Sequence, residues 1–208
     1  MPLVNIFPPV KQATEDGLIG IGGILTADSV WDAYQQGIFP WYNEGEPLQW
    51  YCPDPRFVLY PQKIKISHSM KSVLRSDKFT FSMNQHFDEV LHRCRYTDRK
   101  GQSGTWITDD MVKVYTELHQ QGKVVSAECM LNGKLVGGLY GVQLQHIFCG
   151  ESMFADVSNA SKFALISLVK YLQQLEISLI DCQVFTEHLQ SMGAEMISRQ
   201  RYFEILRH

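Results

Sequence analysis

The chain has 208 residues, of which 45% are hydrophobic, 12% aromatic and 20% charged, a composition that excludes a disordered or collagen-like chain. Its formal net charge of −3 argues against a protein that coats nucleic acid indiscriminately. The charge is segregated, however: nine bases and four acids between Lys63 and Lys100 give +5, leaving −8 for the rest.

The start, Met1-Pro2-Leu3-Val4-Asn5, lacks a basic segment followed by an apolar one, so a cytoplasmic location is expected. No apolar run approaches the roughly 20 residues of a membrane helix, and no membrane association is expected. Five scattered cysteines without a C-x-x-C pair fit reduced thiols. The seven histidines show no metal-ligand spacing, and no metal or cofactor is assigned.

In chain order, residues 1–60 read as a small aromatic-rich lobe. A short helix is predicted from Ala27 to about Gln36, entered at Thr26 and stopped by Gly37. Prolines in Ile38-Phe39-Pro40-Trp41-Tyr42 and Trp50-Tyr51-Cys52-Pro53-Asp54-Pro55-Arg56 favour extended backbone. Residues 61–208 alternate helices and strands. Helices are predicted near His68–Arg75 and Phe87–Arg95. Another begins at Thr108, with Met111, Val114, Tyr115 and Leu118 on its apolar face and Gly122 at its end. A strand from Lys123 to Leu131 meets Asn132-Gly133, a strong hairpin signal. Strands over Leu135–Val142 and His146–Phe154 follow. A helix capped by Ser158 or Asn159 runs to about Glu176, then a strand from Ile177 to Phe185 and a last helix through His188 and Leu189. A meander followed by helix, strand and helix predicts an α+β fold with an acetyltransferase-like (GNAT-like) core.

The early glycines do not make a nucleotide fingerprint: G-x-G-x-x-G needs a glycine where Leu25 stands, and no strand precedes it. A coenzyme A loop would fall at Ala155-Asp156-Val157-Ser158-Asn159-Ala160, which holds an acid and no glycine. Two later strands carry polar groups in apolar surroundings: Glu151, then Asp181 and Gln183, which alternation puts on one face. Buried carboxylate and carboxamide groups need hydrogen-bond partners, which singles this pair out. Tryptophan beside proline offers a flat surface for a base.

Nine segments in order then match one family. They are Gly20-Ile-Gly-Gly-Ile-Leu, Ala33-Tyr-Gln-Gln-Gly-Ile-Phe-Pro-Trp, Pro53-Asp-Pro-Arg and Gly104-Thr-Trp-Ile, followed by Leu135-Val-Gly-Gly-Leu-Tyr-Gly-Val, Gly150-Glu-Ser-Met-Phe, Asn159-Ala-Ser-Lys, Ile180-Asp-Cys-Gln-Val and His188-Leu-Gln-Ser-Met-Gly-Ala. The chain resembles the bacterial leucyl/phenylalanyl-tRNA–protein transferases along nearly its whole length. The resemblance implies transfer of leucine or phenylalanine, and less well methionine, from aminoacyl-tRNA to proteins beginning with arginine or lysine, in the N-end rule pathway. It implies that Asp181 and Gln183 form a catalytic relay, and that Glu151 with Asp181 binds the acceptor. Tyr34, Trp41 and Trp106 would hold the aminoacyl-adenosine, and Leu139 and Phe148 would wall the side-chain pocket.

The basic residues Lys63, Lys65, Lys71, Arg75, Lys78, Arg93 and Arg95 are expected to meet the tRNA backbone, and the protein is expected to be a monomer. The sequence departs from the family at Val125-Ser126-Ala127-Glu128, at Cys129-Met130 and at Trp50-Tyr51-Cys52-Pro53. Two competing readings are an N-acyltransferase with another donor and a non-catalytic or altered-specificity tRNA-binding relative.

Overall fold

A computed structural model describes residues 7–97 and 105–207; Met1–Asn5, the bases Arg99 and Lys100, and Gly104 lie outside the described residues. The aromatic lobe is built on β1 (Leu18–Ile21), α1 (Ala27–Gln35), β2 (Phe39–Pro40) and β3 (Gln49–Tyr51). Its three strands pair antiparallel in the order β1-β3-β2. Helix α1 starts at Thr26 because a capping box satisfies both ends: Ser29 N–H donates to Thr26 Oγ1 at 3.1 Å and Thr26 N–H to Ser29 Oγ at 2.9 Å. Its inner face buries Val30, Ala33 and Tyr34.

The chain then supplies β4 (Arg56–Leu59), α2 (His68–Arg75), β5 (Thr80–Met83), α3 (Phe87–Tyr96), α4 (Asp109–Gln120), β6 (Val124–Leu131), β7 (Lys134–Gln143) and β8 (Ile147–Ala155). It ends with α5 (Ala160–Gln174), β9 (Leu179–Gln183), α6 (Glu187–Ser191), β10 (Glu195–Ile197) and α7 (Arg199–Leu206). Seven strands form one sheet in the order β10-β4-β9-β8-β7-β6-β5. All neighbours are antiparallel except β8 and β9. The class is α+β, and the meander β5-β6-β7-β8, then α5, then a strand parallel to β8, is the predicted acetyltransferase-like order. Helices α3 and α4 and the aromatic lobe share one hydrophobic core; α2 and α5 share the other, across the sheet.

Three differences from the sequence reading matter. Strand β4 lies inside the large sheet, between β10 and β9, so Arg56–Leu59 pair with that sheet and not with the strands of the aromatic lobe. Strands β5 and β10 were not expected; both sit on sheet edges, and neither is long enough to display an alternating pattern. The helix through His188 is not the last, since α7 follows, capped by Ser198 Oγ accepting from Arg201 N–H at 3.2 Å.

Two irregularities in the sheet prepare the site. Opposite Tyr140 and Gly141 stand Ser152 and Gly150, so Glu151 is the extra residue of a bulge in β8. The bulge reverses the alternation: Phe148 faces the α5 core and Cys149 the other before it, whereas Met153 and Phe154 face those cores in the opposite parity after it. Gly141 must be glycine there, because a Cβ would sit 2.4 Å from the Phe148 ring and 2.2 Å from the Cys149 carbonyl oxygen. The second irregularity is a splay. Pairing of β8 with β9 stops at Cys149↔Asp181, while β8 continues to Ala155 and β9 to Gln183.

Candidate active site

A cavity of about 350 Å³ opens where β8 and β9 part. One side is apolar, lined by Leu139, Phe148, Met153, Leu165 and Ile180. The other carries Glu151, Asp181 and Gln183, with Trp41 and Trp106 among its walls. Its size falls in the range of small-ligand sites, which typically hold about 300–1,000 Å³.

Asp181 is wholly buried, and its carboxylate is saturated. Arg56 donates from Nε at 2.9 Å and Nη2 at 2.7 Å, Tyr202 from its hydroxyl at 3.0 Å, and Gln183 from its backbone N–H at 2.9 Å. Arg56, also buried, lies between the rings of Phe39 and Tyr202, at 4.8 and 4.6 Å from their centroids. The Asp181 carboxylate raises the Arg56 pKa, overcoming a larger opposing push from burial only with the help of Tyr202 and direct hydrogen bonds. Gln183 has φ 63°, in the left-handed region that non-glycine residues seldom occupy, and Val184 N–H closes a γ-turn on the Cys182 carbonyl at 2.7 Å. The Asp181 bond to the Gln183 N–H holds this turn. Gln183 is thereby set at the end of β9 with its side chain turned to Glu151.

Glu151 is surrounded differently. Its Oε1 accepts from Gln183 Nε2 at 2.8 Å and its Oε2 from the Tyr115 hydroxyl at 3.1 Å. Behind it, the Tyr34 and Tyr115 hydroxyls are 2.7 Å apart. Among the described residues no arginine or lysine forms an ion pair with Glu151. Burial pushes its pKa from 4.5 up to about 7, against the lowering by hydrogen bonds from Tyr34, Tyr115 and Gln183.

The pattern described as leucyl/phenylalanyl-tRNA protein transferase matches residues 58–207, and that of the same family's N-terminal domain matches residues 23–54. A protein of Christiangramia forsetii named leucyl/phenylalanyl-tRNA–protein transferase is 50% identical over 202 residues, covering 96% of this chain and 95% of its own. This chain belongs to that family. A Flavobacterium johnsoniae protein of the same name is 48% identical over 97% of this chain and 95% of its own, and one from Syntrophus aciditrophicus is 48% identical over 98% and 85%.

Of the site residues expected from the family resemblance, Trp41, Trp106, Leu139, Phe148, Glu151, Asp181 and Gln183 all line the one cavity. Two of the expected site residues have surroundings that bear on their roles. Tyr34 is buried behind Tyr115, so its ring has no face to offer an adenosine; it reaches the cavity only through Tyr115 and Glu151. Asp181, expected to bind the acceptor with Glu151, has its carboxylate occupied by Arg56, Tyr202 and the Gln183 N–H.

The basic set divides. Lys65, Lys71, Arg75 and Lys78 are exposed and make no ion pair among the described residues. Lys63 pairs with Glu195 at 2.9 Å, Arg93 with Asp156, and Arg95 with Asp109 at 2.5 Å. The departure at Val125-Ser126-Ala127-Glu128 lies away from the cavity lining. There Glu128 accepts from Ser82 and Ser126 hydroxyls and from the N–H groups of Gln85 and His86, tying β5 and the start of α3 to β6.

Sequence reasoning missed Arg56, Tyr115 and Tyr202 as parts of the site. A signal for Arg56 existed. An arginine opening the apolar run Arg56-Phe57-Val58-Leu59 must be paired if that strand is buried, and Asp181 needed a partner. Tyr115 was legible only as a member of an apolar helix face.

Proposed function

We propose that the protein moves leucine or phenylalanine, and less well methionine, from aminoacyl-tRNA to the α-amino group of proteins that begin with arginine or lysine, acting as a monomer in the cytoplasm. The observation that carries this is one cavity joining an apolar compartment to a carboxylate–carboxamide pair, with two tryptophans at its wall. The amino acid's side chain enters between Leu139 and Phe148. Trp41, 38% exposed, and Trp106 take the terminal adenosine.

An aminoacyl ester is already activated, so the protein's task is to hold an amine against its carbonyl carbon. Gln183 does this. Its Nε2 is committed to Glu151, which leaves the carboxamide oxygen to accept from the incoming amine. Asp181 orients Gln183 through the backbone and does not touch the acceptor. Glu151, the carboxylate without a cationic partner, draws in a residue that carries a positive side chain as well as a positive terminus.

An acyl-CoA donor is disfavoured by the connection from β8 to α5. It has no glycine to cradle a pyrophosphate, and Asp156 within it is paired with Arg93. The tRNA backbone is assigned to Lys65, Lys71, Arg75 and Lys78, with Lys63, Arg93 and Arg95 contributing where their acids release them.

The test is incubation with phenylalanyl-tRNA and a peptide beginning with arginine, followed by mass analysis of the peptide. The parent protein should add one phenylalanine. Gln183→Ala should slow the addition on the order of 10²–10³-fold, the loss typical of a positioned polar group at a transition state. No addition by the parent, or an unaltered rate in a folded Gln183→Ala, contradicts the reading.

A further inference from the structure

We propose that Glu151 is the group that takes the proton from the incoming α-ammonium, and that Tyr115, backed by Tyr34, is the positioning residue that keeps its carboxylate aimed and charged. The proposal rests on the transfer reaction above and assigns its proton acceptor.

Three carboxylate or carboxamide side chains line the cavity. The Gln183 carboxamide oxygen accepts hydrogen bonds but is too weak a base to keep a proton. Asp181 has its carboxylate occupied by two Arg56 nitrogens, the Tyr202 hydroxyl and the Gln183 N–H. Glu151 accepts from Gln183 on one oxygen and from Tyr115 on the other, the Tyr34 hydroxyl adds a third interaction, and a carboxylate offers about four acceptor sites. At least one site therefore remains on a half-buried carboxylate that lines the cavity.

The bulge in β8 is what brings it there, beside Gln183 and on the side of the sheet where Tyr115 stands. Tyr115 has a single hydroxyl hydrogen. With that hydrogen committed to Glu151, Tyr34 must be the donor in the Tyr34–Tyr115 pair, so the chain runs Tyr34 to Tyr115 to Glu151 in one direction. Burial holds both phenols well above their ordinary pKa, and both remain donors wherever the protein is folded.

Other titratable groups around Glu151 do not compete. Asp181 on β9 is neutralised by Arg56 from β4, and the Cys149 thiol on β8 is held protonated by burial. His188 on α6, another wall of the cavity, has its pKa lowered by burial and by Lys162, which keeps it neutral at pH 7. Glu151 itself sits at about 7, close to the roughly 7.7–8.0 of an α-amino group, where proton transfer in either direction is nearly balanced.

In the transfer step the α-ammonium gives one proton to the Glu151 carboxylate, and the freed nitrogen lone pair attacks the ester carbonyl carbon. As the C–N bond forms and the C–O bond breaks, the departing ribose oxygen keeps the bonding pair. It takes the second proton of the attacking nitrogen, and Glu151 returns the first to solvent.

Two acceptors test this: a peptide with N-terminal arginine, and the same peptide with an aminooxy group replacing the α-amine. The aminooxy group is neutral at pH 7, while the side chain keeps its charge. Glu151→Gln should cut transfer to the amine on the order of 10²-fold or more and cost the aminooxy acceptor only a small fraction of that. Equal losses with both acceptors would make Glu151 a binding group and overturn the proposal, leaving the transfer function intact. Tyr115→Phe removes a donor that favours the charged carboxylate, so the acid limb of kcat/KM for the amine should move to higher pH. Tyr34→Phe should move it in the same direction. A merely structural role would lower the whole profile without moving the limb, and that result would also overturn the proposal. If the parent adds no amino acid to either acceptor, it is the transfer function that fails.

Discussion

Asp181 and Glu151 stand on neighbouring strands and line the same cavity, but one is surrounded by a cation and the other by neutral donors. Arg56 and Tyr202 fix Asp181 as part of the framework, tying β9 to β4, 125 residues back in the chain, and to α7, 21 residues on. Glu151 meets only a carboxamide and phenols, and burial raises its pKa. The contrast teaches that a buried carboxylate with its own cation is a structural fastening, whereas one given only hydrogen bonds retains a charge that can change.

The first way to break this comparison is to remove the cation. Arg56→Met leaves the Asp181 charge buried and unpaired, which typically costs about 3–5 kcal/mol. Urea unfolding should show it, and Arg56→Met combined with Asp181→Asn should lose less than the two single losses added, because the partners share one interaction. A single loss within the ordinary range of surface substitutions would mean that Asp181 is not fastened as described.

The apolar side of the cavity gives a smaller effect. Leu139→Trp fills space between Leu139 and Phe148, and should disfavour phenylalanine relative to leucine by about 1–3 kcal/mol, the range available to shape in an apolar pocket. Competition between the two charged tRNAs measures it, and an unchanged ratio would remove Leu139 from the pocket.

The exposed bases give the gentlest effect. Replacing Lys71, Arg75 and Lys78 with glutamine should weaken tRNA binding and make its salt dependence shallower, by roughly 0.7–0.9 in log–log slope for each phosphate left unneutralised. A short aminoacyl-adenosine donor should be used as before. Equal damage to both donors would detach the patch from tRNA.

Much of this was legible in the sequence, and the reasons are local. Helix α4 announces itself by Thr108, whose Oγ1 accepts from Met111 N–H at 3.3 Å, and by an apolar face that the structure buries at Met111, Val114, Tyr115 and Leu118. The β6–β7 hairpin follows from Asn132-Gly133, which take positive φ of 51° and 75°. The segment containing Asp181 and Gln183 could be found by its polarity on an apolar strand. What stayed hidden is non-local. The bulge that re-aims Glu151 is a register between two strands, and Gly150 alone does not declare it. The partner of Asp181 lies on another strand far back in the chain, and the role of Tyr34 depends on Tyr115, 81 residues away. Strand β10, three residues long at a sheet edge, has too few residues for any periodicity to show.

The contrast between the two carboxylates is most directly tested by titrating the side-chain carboxyl carbons of glutamate by ¹³C NMR in the unliganded protein, with Glu151→Gln to identify the signal. Glu151 should titrate at about 7, well above an ordinary glutamate. Because this folded-state value is raised, the group's contribution to stability is complete below the unfolded value near 4.5 and is lost as pH rises through 7, a loss that Glu151→Gln should abolish. A Glu151 signal that titrates near 4.5 would contradict the distinction between the two carboxylates on which the account rests.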